Sequence, residues 1–102
     1  MGLMAKRVVA GAAKAKSRQL AAFGAAVYEF RVRRDLSQEQ LSLQSEIDRS
    51  YLSQLEIGEK EPCLGIIFRL SEALQTTPSQ ILARAENLYA EGYTATKRQR
   101  VR

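Results

Sequence analysis

Apolar residues recur at three- and four-residue steps along most of the chain, and this recurrence predicts five helices. Leu20, Phe23, Val27 and Phe30, with Arg31 beside them, make one buried stripe of a first helix beginning near Ser17. Asp35 is expected to end it, because Asp tolerates left-handed backbone better than most residues. Ser37-Gln38-Glu39-Gln40 then reads as a capping box, in which the Ser37 hydroxyl accepts from the Gln40 amide and the Gln40 side chain accepts from the Ser37 amide. Leu41 starts the apolar face of this second helix, which ends near Ser45. Glu46-Ile47-Asp48 is a three-residue link, and Asp48 is a good N-cap for a third helix over 49–57, with Gly58 as its stop.

Glu59-Lys60-Glu61-Pro62 reads as a polar loop. Leu64, Ile67, Leu70 and Leu74 line one side of a fourth helix over 64–74. Thr77-Pro78-Ser79-Gln80 reads as a second capping box, with proline at the first helical position, where its missing N–H is no loss. It opens a fifth helix reaching about residue 88. No segment alternates as a strand would, so the fold class is all-α. The expected organisation is a flexible basic arm over 1–16, one helical domain over 17–90, and a disordered basic tail over 91–102.

Charge sharpens that division. Residues 1–18 carry Lys6, Arg7, Lys14, Lys16 and Arg18 with no acid, whereas residues 19–85 carry seven bases against nine acids. The tail adds Lys97, Arg98, Arg100 and Arg102 against Glu86 and Glu91. The net charge of +5 therefore resides in the two ends, an arrangement that attracts a polyanion. The chain has no histidine and one cysteine, Cys63. This removes the commonest general base and metal ligand, and it leaves no thiolate cluster. Neither catalysis, a metal nor a cofactor is expected. Cys63 is read as a small packing residue. No apolar run reaches the ~20 residues of a membrane helix, and a cytoplasmic protein is expected.

The second and third helices, three residues apart, have the spacing of a helix-turn-helix. On the third, Leu52 and Leu55 are spaced to face the core, leaving Arg49, Ser50, Ser53 and Gln54 on the opposite stripe. These are side chains that can hydrogen-bond base edges: Arg donates twice to guanine, Gln pairs with adenine, and Ser serves either.

With the motif complete, the residues resemble a known family. Ser37-Gln38-Glu39-Gln40-Leu41-Ser42, then Ile47, then Asp48 through Glu56, Gly58 and Pro62 are similar to the Xre-type, λ-repressor-like helix-turn-helix regulators, and most of all to controller proteins of restriction–modification systems. The resemblance covers about residues 20–88. It implies a five-helix λ-repressor-like domain and sequence-specific binding of double-stranded DNA in transcription regulation. It implies that Gln38 bonds the DNA backbone, that Arg49, Ser50, Ser53 and Gln54 read or contact the groove, and that Tyr51 reaches a phosphate unless it only covers a core edge. Lys60 falls where backbone contacts are frequent, and Arg31 and Glu56 match a partly buried structural ion pair. The family usually has glycine where this chain has Asp35 and Glu46, so both are expected at positive φ.

Ile81, Leu82, Ala85 and Leu88 offer more apolar surface than four short helices are expected to cover. Relatives usually dimerise there, so a homodimer on a pseudo-palindromic operator is expected, with half-sites ~10–11 bp apart. The rival readings are an antitoxin that binds DNA and holds a toxin, and an interaction module that binds protein and never DNA.

Overall fold

The structure is a computed structural model, and it describes residues 11–94. Among them are five helices and no strand: α1 (Ala12–Arg33), α2 (Gln38–Ser45), α3 (Arg49–Glu56), α4 (Leu64–Ala73) and α5 (Pro78–Ala90). The all-α expectation holds. The first ten residues and residues 95–102, which carry most of the expected arm and tail, lie outside the described part.

Helix α1 is the axis of the fold. It begins at Ala12, five residues before the position that apolar spacing indicates, and its 22 residues span ~33 Å. Every residue from 21 to 27 is buried, so its middle is enclosed all round rather than along one stripe. On one side lies α5 and on another α3, while α2 packs on α3 and α4. Leu41, Leu52, Leu55, Leu70, Leu74, Ile81 and Val27 are fully buried at the centre. Each such side chain contributes about 1.5–3 kcal/mol relative to exposure.

The helix ends follow local chemistry. Asp35 takes φ 59° just past α1, and the Leu36 amide donates to the Arg31 carbonyl at 3.1 Å, closing the last turn. The capping box at α2 is complete, with the Gln40 amide donating to Ser37 Oγ at 3.0 Å and the Ser37 amide to Gln40 Oε1 at 2.8 Å. Glu46 ends α2 at φ 59°. Gln75 ends α4 at φ 56°, which no turn residue in the sequence announces. At α5 the box is only half formed. Thr77 Oγ1 accepts from the Gln80 amide, but Gln80 Oε1 accepts from the Thr76 hydroxyl instead of the Thr77 amide.

Two sequence expectations for the packing are corrected. Leu64 is 68% exposed, because it opens the first turn of α4 beyond the reach of the core, and Ile67 is half-buried. Cys63 is exposed as the residue preceding α4 and is not a packing residue.

Candidate nucleic-acid interface

The turn between α2 and α3 is fixed from three directions. Ile47 is buried beneath it, the Ser42 hydroxyl donates to the Ile47 carbonyl at 2.6 Å, and Arg69 of α4 donates to the Glu46 carbonyl at 3.1 Å. Asp48 then caps α3. Its Oδ2 accepts from the Ser50 amide (3.1 Å), the Tyr51 amide (3.2 Å) and the Ser50 hydroxyl (2.7 Å). The hydroxyl bond, with the Tyr51 amide behind it, holds the Asp48 carboxyl below its ordinary range.

Leu52 and Leu55 point α3 into the core, which leaves Arg49, Ser50 and Gln54 exposed and Ser53 half-buried on the outer side. The structure thus brings four of the seven predicted DNA-contacting residues onto one polar face of one helix. Tyr51 is half-buried and packs against the core, and burial pushes its phenol pKa up. It covers a core edge while its ring lies 5.9 Å from Lys60 Nζ in the following loop.

Gln38 heads α2 and is half-buried. Its Nε2 donates to Glu56 Oε1 at 2.9 Å, so one of its two amide hydrogens is directed inward. Glu56 in turn receives Arg31 in a fork, Nε to Oε2 at 2.6 Å and NH2 to Oε1 at 2.9 Å, with side chains only 5% and 2% exposed. Arg31 NH1 donates to the Leu36 carbonyl at 2.8 Å. A charge-assisted fork in which no buried side-chain nitrogen or oxygen is left without a partner is the arrangement that makes a buried pair tolerable. This cluster ties the end of α1, the start of α2 and the end of α3 together. Beside it a cleft of about 400 Å³ is lined by the polar residues Arg31, Ser37, Gln38, Gln40 and Arg49, with the carboxylates Asp35 and Glu39 also on its wall.

Sequence reasoning missed Gly24. A Cβ there would lie 2.2 Å from the Leu55 carbonyl oxygen and 2.7 Å from that of Glu56. Only glycine lets α1 approach the C-terminal end of α3 so closely. A glycine in the middle of an alanine-rich helix was the available signal. Gly58, at φ 82°, makes a similar approach, since its Cβ would lie 2.9 Å from Ala21 Cα.

The expected excess of apolar surface on α5 is absent at three of its four positions. Ile81, Ala85 and Leu88 are buried within the chain, because α1 is long enough to cover them, and only Leu82 is exposed, at 47%. Leu64 and Phe68 of α4 are also exposed.

These features agree with known proteins. A helix-turn-helix family model matches residues 27–81, more than half of the chain. The clp gene regulator ClgR from Corynebacterium glutamicum is similar at 28% identity and a TM-score of 0.70, over 72% of this chain and 79% of its own. A second ClgR structure matches at 29% identity and a TM-score of 0.66, over 68% and 88%. The restriction–modification controller protein C.AhdI from Aeromonas hydrophila is similar at 37% identity and a TM-score of 0.60, over 61% of this chain and 94% of its own. Among curated proteins none matches significantly. With its capped α2–α3 pair and outward polar face, the chain belongs to the Xre-type, λ-repressor-like helix-turn-helix family of DNA-binding regulators.

Proposed function

We propose that the protein regulates transcription by binding, as a homodimer, a pseudo-palindromic operator in double-stranded DNA. The observation that carries this reading is the polar, outward side of α3, where Arg49, Ser50 and Gln54 stand exposed above buried Leu52 and Leu55. Such a helix fits the major groove, and Arg49 and Gln54 have the donors and acceptors to distinguish bases. The regulators ClgR and C.AhdI share the architecture.

A backbone phosphate is assigned to the cleft beside α2. The N-terminal amides of α2, the second amide hydrogen of Gln38 and the Arg49 guanidinium all suit an anion there. Lys60 and the basic ends of the chain add phosphate contacts that carry no sequence information. For dimerisation the seat is the exposed apolar surface of Leu64, Phe68 and Leu82, which a second copy would cover. One recognition helix reads few base pairs, and a two-fold pair doubles the site, with half-sites ~10–11 bp apart.

Selection of bound sites from random duplex DNA, with sedimentation of the complex, tests the reading. A symmetric consensus bound by two chains is expected. Arg49→Ala should weaken the selected site by about 1–3 kcal/mol and relax preference at one base pair. Binding of all duplexes alike, by parent and variant, contradicts the proposal.

A further inference from the structure

The cap of α3 has an unused half. All three bonds that Asp48 accepts arrive at Oδ2, and among the described residues no donor reaches Oδ1. Asp48 is exposed, and it directly precedes Arg49 at the outer end of the polar face. The same bonds decide the character of Ser50. Its hydroxyl hydrogen is directed to Asp48 at 2.7 Å, so outward it presents lone pairs only. The start of α3 therefore offers two acceptors held together, Asp48 Oδ1 and Ser50 Oγ, on the residues before and after one donor, Arg49.

Resting on the DNA-binding reading above, we infer that Asp48 is a specificity-determining residue that accepts a hydrogen bond from a cytosine amino group in the major groove, next to the guanine that Arg49 reads. Cytosine N4 is the donor in that groove with no acceptor on the same base beside it. Adenine places N7 next to its amino group, and guanine and thymine turn only acceptors toward a protein. A carboxylate is thus attracted at one base and repelled at the others.

Capping alone does not call for an acid. Ser and Asn cap a helix about as well as Asp, without bringing a negative charge toward a polyanion. An acid at this position lowers affinity for every duplex except those that place an N–H opposite it, which is how discrimination is gained by penalising wrong partners. The lowered pKa of Asp48 keeps it ionised, and acceptor-only, throughout the neutral range.

The test is site selection from random duplex DNA by the full chain, in parallel for the parent, Asp48→Asn and Asp48→Ser, with thermal melting of each. Melting should be nearly unchanged, since all three residues cap. The parent should select a cytosine at a fixed step from the guanine, preferred roughly tenfold over other bases. Asp48→Asn should lose that preference in favour of adenine, Asp48→Ser should become indifferent, and both should bind random DNA at least as tightly as the parent. A parent that selects a consensus from which neither variant departs overturns this inference alone. A parent that selects no sequence overturns the DNA-reading proposal and this inference with it.

Discussion

Two arginine–carboxylate pairs fasten α1 to its neighbours, and they sit in opposite surroundings. Arg31–Glu56 lies inside the helix-turn-helix half, with side chains 5% and 2% exposed, and is joined by Gln38 and the Leu36 carbonyl. Arg84–Glu29 joins α5 to the outer side of α1 with nearly the same fork, 2.7 and 3.2 Å, but with side chains 36% and 32% exposed. Water competes for the second pair and is excluded from the first. The α1–α5 contact depends instead on Ile81, Ala85 and Leu88, with Arg18 donating to the Tyr89 carbonyl and lying over its ring. Two 8-residue helices offer too little apolar area to hold themselves in place, and a keyed polar cluster supplies what they lack.

The comparison is broken most sharply at Glu56. Glu56→Gln leaves the buried Arg31 charge without its counter-ion, and stability should fall by about 3–5 kcal/mol, read by denaturant unfolding. A loss no larger than that of an exposed pair would make the two sites equivalent after all. Next comes Gly24→Ala, which drives a methyl group against backbone that cannot repack. It should cost about 1–3 kcal/mol and shift the amide resonances of Leu55 and Glu56. Arg84→Ala should cost at most about 1 kcal/mol, a loss that shrinks further at high salt.

The smallest effect is the pH dependence of the Asp48 cap. Its folded-state pKa lies below the ordinary carboxyl value of 3.8, so its charged form binds the helix amides more strongly than its neutral form. The added stability is complete above the unfolded pKa and is lost as pH falls through the lowered folded value. Melting temperatures of the parent and Asp48→Asn should therefore shift relative to one another, to the parent's disadvantage, only as the solution is acidified through that window.

Much of the reading half was legible because its determinants are local. A serine three residues before a glutamine, an aspartate before a polar turn, and Asp35 and Glu46 in place of glycine each act within a few bonds. The family motif then paired Arg31 with Glu56. The scaffold half was less legible. Where α1 starts is hidden in an alanine-rich stretch with little contrast between faces. What covers Ile81, Ala85 and Leu88 is the buried middle of α1, residues 21–27, and its all-round enclosure is not visible in the spacing of one stripe. The roles of Gly24, of the exposed Leu64 and of the Gln38 amide depend on which element lies opposite, and a one-dimensional pattern does not record that.

The naked backbone at Gly24 has one more result. Because α3 rests its final carbonyls directly on α1, the pitch of the reading rod is set by main-chain spacing, not by side chains that swap rotamers. The residues that face outward on α3 share no atoms with that mounting. Mutational drift at Arg49, Ser50 or Gln54 can re-address the protein to a different operator while the angle of presentation stays constant, so new targets are reachable without refashioning the chassis.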